Sequence, residues 1–211
     1  ERKSRLINPK EKKIIAYHEA GHAVVINALP EGDPVQKVSI ISRGMMGGFT
    51  RSLPTEDRSL ESRKKLMAEM VGLLGGRAAE EIMFDDITSG ASSDIERVTK
   101  LARTMVTRLG MSDKLGPMVY GQKEELVFLG REISEQRDYS EAVAQEIDRE
   151  VQRAVTEAYQ SAKKILETHK DKLIAVAEKL LEVETITNEE FEAIFPPPVE
   201  KNQGIPVIAG A

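Results

Sequence analysis

One segment limits the folds open to this chain more than any other: Ile14 to Val25, read IIAYHEAGHAVV. It is apolar almost all round, so a helix built from it belongs in an interior rather than on a surface. Yet it carries two of the chain's three histidines, His18 and His22, with Glu19 beside them. Burying two imidazoles and a carboxylate is costly unless each finds a partner. Asn8, Pro9 and Glu11 form a helix start, with an N-cap, a proline at the first helical position and a capping-box glutamate. The helix is therefore expected over residues 8–29, broken by PEGDP at 30–34.

Residues four apart on a helix lie about 6 Å apart along the axis and only ~40° apart around it. His18 and His22 can therefore offer both rings to one ion, with Glu19 on the same side. This is the H-E-x-x-H arrangement, two nitrogen ligands for zinc with a carboxylate next to the open coordination position. From there Glu19 is poorly placed to bind metal but well placed to take a proton from water. A catalytic zinc also needs a third protein ligand. The longer H-E-x-x-H-x-x-G-x-x-H form does not continue here, because Val25 and Ala28 occupy its glycine and third-histidine positions. His169 lies in a charged helical stretch that reads as surface. The third ligand is then a carboxylate: Glu80 or Glu81 in GRAAEE, Asp85 or Asp86 in FDD, or Asp94 in SGASSDIE. Asp94 opens a helix, whose dipole keeps a carboxylate ionised, and Ser93 with Glu96 could cap that turn. These grounds slightly favour Asp94 without excluding the others.

VQKVSII (35–41) and GGFTRSL (47–53) are β-favouring runs that read as a small ribbon joined through SRGMMG. A helix is expected at about 59–82, with Met67, Met70, Val71, Leu74 and Ala78 on one face, and another at 94–109, with Ile95, Val98, Ala102, Met105 and Leu109 as its stripe. Gly110 stops it, and 111–137 is irregular. A long helix starts near Tyr139 with Asp138 and Glu141 as its capping box, striped by Val143, Ile147, Val151, Val155 and Ala158. A second helix runs to about Val183 and TNEEFEAIF supplies a short third. Gly48, Phe49 and Thr50 are candidates for holding substrate: an exposed sheet edge can take an unfolded chain through its backbone, and the glycines let that backbone approach.

Composition narrows the function classes. A net charge of −5, with both signs mixed along the helices, gives no support to nucleic-acid binding. There is no cysteine, so thiolate metal sites and disulfides are excluded. No signal-peptide pattern is present, no apolar run approaches the ~18 residues of a membrane span, and no G-x-x-x-x-G-K-[ST] phosphate loop occurs. The chain starts with Glu1, which suggests a piece of a longer polypeptide.

YHEAGHAVV, KVSIISRG, LLGGRAAEEI, TSGASSDIERVTKLARTMVTRLGMSDKLGP and LLEVETITNEEF, in this order, resemble the peptidase domain of the FtsH family, membrane-anchored ATP-dependent zinc metalloproteases. The resemblance implies one Zn2+ on His18, His22 and Asp94, with Glu19 as the catalytic base. Ser93 stands where relatives often have Asn, and Ser42 where PRG is common. It further implies an ATPase module that uses ATP, transmembrane segments that supply the membrane contact, a homo-hexamer, unfolded polypeptide as substrate, and a peptidase domain on the cytoplasmic face if bacterial. The expected fold is mainly α (α+β), a helical zinc-peptidase domain over 1–195 with a small β-ribbon and long C-terminal helices, then a disordered tail at 196–211. Two rivals are a stand-alone endopeptidase with Glu80 or Glu81 as third ligand, and a non-enzymatic assembly module, whose usual mark would be a damaged H-E-x-x-H.

Overall fold

The computed structural model of the chain describes residues 8–41, 47–53, 60–123, 135–136 and 138–198. The expected tail therefore lies outside the described residues apart from 196–198, which have no regular structure, and so do the residues 42–46 that connect the ribbon. Helix α1 spans Pro9–Ala28, and the Asn8 side chain accepts the Lys10 N–H at 3.0 Å. Every residue from Ala16 to Val25 is buried, as the all-round apolar pattern requires. The helix packs most extensively against α3 (Gly75–Phe84) and α6 (Lys170–Val183).

Strands β1 (Val35–Ser39) and β2 (Phe49–Ser52) pair antiparallel, Val38 opposite Thr50 and Ser39 opposite Phe49, with an irregularity between Val35 and Lys37. A third strand that the sequence reading missed, β5 (Thr185–Thr187), pairs on the other side of β1, with Ile186 opposite Val38. Glu184, in the left-handed region at φ 60°, turns the chain out of α6, and its carbonyl accepts the Ile40 N–H at 3.0 Å. The sheet order is β2-β1-β5, which leaves β2 as an end strand. Two further short strands, β3 (Gln122–Lys123) and β4 (Glu135–Gln136), pair within the region expected to be irregular.

The helix expected at 59–82 is two: α2 (Arg63–Leu73) and α3, separated at Leu74. The break lets glycines of α3 meet α1 backbone to backbone. A Cβ on Gly21 would lie 2.5 Å from the Gly75 carbonyl oxygen, and one on Gly75 would lie 2.7 Å from that of Gly21.

Helix α4 (Ser92–Thr107) follows a 3-10 turn at Ser89–Ala91. Its N-cap position is Ala91, with no side-chain cap, so the expected Ser93–Glu96 capping does not form. Val98, Ala102 and Met105 are buried as expected, whereas Ile95 and Leu109 at the ends are exposed. Helix α5 (Glu141–Thr168) is capped by Ser140, whose hydroxyl accepts the Val143 N–H, and not by Asp138, which instead accepts the Gly121 N–H at 2.7 Å. Ile147, Val151 and Ala158 of its stripe are buried, joined by Ala144, Ala162 and Leu166. This stripe is used inside the chain, against α2, α3 and α4. His169 is not a plain surface residue: it joins α5 to α6, and its ring lies 4.8 Å from that of Phe195. Helix α7 (Asn188–Ile194) begins with a full capping box, Thr187 with Glu190. Among the described residues no helix is long and apolar enough to cross a membrane.

The α1–α3 contact generates a prediction. In Gly21→Ala a methyl must enter space held by the Gly75 carbonyl and the Ala79 side chain, whose Cβ lies 2.6 Å away. Overpacking of this kind should cost about 2 kcal/mol or more. Denaturant unfolding measures it, and a parental midpoint would show that the two backbones are not held this close.

Candidate metal centre

The site is assembled from α1, the α2–α3 junction, the first turn of α4 and β2. His18 and His22 project from α1 with their Nε2 atoms 3.0 Å apart. Asp94 brings Oδ2 to 3.5 Å from each of these nitrogens. Ligand atoms about 2.1 Å from a shared tetrahedral zinc stand roughly 3.4 Å from one another, so the three spacings suit one ion. Among the described residues, these three form the one group of His, Asp and Glu side chains gathered closely enough to hold a metal.

The partners on the far side of each ring decide what the near side can do. His22 Nδ1 lies 2.8 Å from the Gly72 carbonyl oxygen, which can only accept, so Nδ1 carries the proton. That carbonyl belongs to the last turn of α2, beside the C-cap residue Leu74. His18 Nδ1 lies 2.6 Å from Glu80 Oε1. Burial opposes ionisation of Glu80, but hydrogen bonds from His18 and Thr88 hold its carboxyl below the usual range, so it accepts here too. In the neutral rings both Nε2 atoms then carry lone pairs that face each other, which is unfavourable without a cation between them.

The electrostatics agree. Burial works against a charged His18, yet its bonds to Asp94 and Glu80 outweigh this and push its pKa up to about 9. Asp94 is held far below the usual carboxylate range by the two histidines, despite the cost of burial. Asp94 is the third residue of α4, where the helix dipole also favours an anion. The pocket thus attracts positive charge, a proton if no metal is bound, and its donor set of two imidazoles and a carboxylate is one that zinc takes.

Glu19 is 7% exposed and lines the same cleft, which encloses about 890 Å³. Burial pushes its carboxyl up, while His22, His18 and the Thr50 hydroxyl pull it back. Of the substrate-strand candidates, Phe49 and Thr50 lie on β2 and Gly48 just before it. A Cβ on Gly48 would lie 2.8 Å from both Glu19 Oε1 and the Ser39 carbonyl oxygen, so in that direction the glycine makes room for Glu19.

The remaining carboxylates do not converge on the paired Nε2 atoms. Glu80 grips the outer face of His18 and takes the Thr88 N–H at 2.7 Å on its other oxygen. Glu81 pairs with Lys163 at 2.8 Å and accepts the Tyr159 hydroxyl. Asp85 ends α3 in a left-handed conformation, and Asp86 accepts the Ile87 N–H. The sequence reading missed Glu80's role as a holder of His18, and that of Gly76, whose missing side chain leaves room for the His18 ring 2.4 Å from where a Cβ would be. A glycine pair inside a helical pattern was the available signal, since such glycines usually mark close packing.

A buried H-E-x-x-H helix, completed by an aspartate from a second helix and opening on a cleft beside a sheet edge, defines the class of zinc metallopeptidases. Within that class the chain belongs to peptidase family M41, whose sequence profile matches residues 5–194. It is 56% identical over 198 residues to the ATP-dependent zinc metalloprotease FtsH 1 of Thermomicrobium roseum, covering 94% of this chain and 30% of that protein. It is 56% identical over 194 residues to FtsH of Kosmotoga olearia (92% and 30%). With FtsH of Thermotoga maritima the identity is 53% over 201 residues (95% and 33%). The chain thus spans about a third of the length of these relatives.

Orientation of His18 by Glu80 makes a measurable claim. Loss of an outer partner to a metal-binding histidine typically costs 10- to 100-fold in metal affinity. Glu80→Gln should therefore weaken zinc binding by roughly that factor, as read by competition with a chromogenic chelator. An unchanged affinity would mean that the ring is held without Glu80.

Proposed function

We propose that this chain is the peptidase part of an ATP-dependent, membrane-anchored zinc protease, and that it hydrolyses peptide bonds of unfolded or membrane-protein substrates. The observation that carries the proposal is the pair of Nε2 atoms 3.0 Å apart that meet Asp94 Oδ2, beside a buried Glu19 in an open cleft. His18, His22 and Asp94 hold the ion. When bound, zinc lowers the pKa of a water ligand and polarises a carbonyl oxygen. Glu19 accepts the proton from the attacking water on a carboxylate oxygen and passes it to the leaving amine. Glu80 and the Gly72 carbonyl keep both imidazoles in the tautomer that points a lone pair inward. No covalent acyl-enzyme is required.

The named relatives support the wider assignment, because each is an ATP-dependent zinc metalloprotease. On this reading ATP is used by a separate module that delivers unfolded chains, the full protein is a homo-hexamer anchored by transmembrane segments, and the peptidase domain lies on the cytoplasmic face of a bacterial membrane. Such a protease serves protein quality control, and its specificity is set largely before the substrate reaches the zinc.

Two variants test the chemistry together, using metal analysis, circular dichroism and casein cleavage. Glu19→Gln should keep one zinc per chain and lose at least ~10²-fold in rate, as for a missing general base. Asp94→Ala should lose zinc while its helical content survives. Parental turnover by zinc-loaded Glu19→Gln, or parental zinc affinity in Asp94→Ala, would overturn the corresponding role.

Substrate is held on this reading by strand addition to β2, an end strand of its sheet and a wall of the cleft. The test leaves the protein untouched. Peptides N-methylated at alternate positions around the scissile bond lose the backbone donors that a strand needs, and KM should rise roughly 10-fold for one register of methylation and little for the other. Equal KM for both registers would exclude strand pairing.

A further inference from the structure

The contact between β2 and Glu19 has a geometry that the peptidase reading does not itself require. Thr50 Oγ1 lies 2.9 Å from Glu19 Oε2 and 3.0 Å from the main-chain oxygen of the same Glu19. A hydroxyl has one proton to donate, so it faces two acceptors on one residue and reaches either by rotating. Two residues earlier, Gly48 closes the opposite side of the carboxylate: a Cβ there would lie 2.8 Å from Oε1 and 2.9 Å from Cγ. Gly48 is not among the residues with positive φ, so the glycine is needed for space and not for its backbone freedom. The strand thus grips one carboxylate oxygen and leaves a fitted gap for the other.

We propose that Thr50 is a positioning residue for the general base, holding the Glu19 carboxylate in one place through its hydroxyl. The proposal rests on the reading of Glu19 as the base. While Glu19 is ionised, the hydroxyl donates to Oε2, a charge-assisted bond. A glutamate with three rotatable bonds then stays aimed. This matters because a misplacement of about 1 Å at a reacting group can cost 10²-fold in rate.

The test uses Thr50→Val, which keeps the branched shape and the strand N–H, with Thr50→Ser restoring the hydroxyl and Thr50→Ala as a second donor-free variant should valine not fit. Hydrolysis of a short fluorogenic peptide by the zinc-loaded chain gives kcat and KM separately. For Thr50→Val or Thr50→Ala, kcat should fall roughly 10- to 100-fold, with KM and zinc content unchanged. Thr50→Ser should recover most of the loss. In a Glu19→Gln background the same valine change should cost nothing further, since the group it positions is already gone. A readout independent of turnover is the crystal structure of Thr50→Val, in which the Glu19 carboxylate should leave its seat beside Gly48. A parental kcat, an effect on KM alone, an equal loss in the Glu19→Gln background, or an unmoved carboxylate would each overturn the proposal. Failure of the base reading itself looks different: Glu19→Gln alone would then turn over normally.

Discussion

The metal centre depends on how closely two backbones approach. Gly21 on α1 and Gly75 on α3 meet with no side chain between them, and Gly76 lies flat against the His18 ring. Any larger residue at these positions would push α3 away from α1 by the thickness of a methyl group. Glu80 would then lose its 2.6 Å bond to His18, and the Thr88 loop that Glu80 also holds would follow. That loop leads directly into α4, which carries Asp94. One helix–helix distance therefore bears on both the orientation of His18 and the placement of Asp94.

The site is also an electrostatic compromise that calls for a cation. Two buried imidazoles are forced, by an acceptor carbonyl and an acceptor carboxylate on their outer faces, to turn bare nitrogens toward each other. Asp94 adds negative charge at the same point. The raised pKa of His18 and the depressed one of Asp94 express this demand in protonation. Folding a metal-free chain with these groups inside would be costly without it, which ties metal affinity to the integrity of the surrounding core.

The sheet does more than cover the cleft. Its end strand bonds Glu19 through the Thr50 hydroxyl and leaves room for the Glu19 carboxylate at Gly48. The side chain that α1 sends into the cleft is therefore also fixed from β2.

Much of this was legible in the chain itself. His18, Glu19 and His22 could be read together because a helix repeats every 3.6 residues and the residues around them are apolar. The helices around 8–29, 94–109 and 141–183, and the pairing of 35–41 with 47–53, followed from local patterns that the fold did not overrule. The sequence alone named Asp94 as one candidate among five carboxylates, and local reasoning favoured it only slightly, through the helix dipole. Helix periodicity says nothing about which acidic residue crosses to another element. Tertiary packing brings Asp94, and not Glu80, to the paired Nε2 atoms. The break at Leu74 turned one expected helix into two, the glycines let α3 approach α1, and Glu80 came to the outer face of His18 while the start of α4 delivered Asp94 to the inner one. The third strand at Thr185–Thr187 and the grip of Thr50 on Glu19 belong to the same kind: each joins residues far apart in the chain, and long-range contacts leave no periodic trace in the sequence.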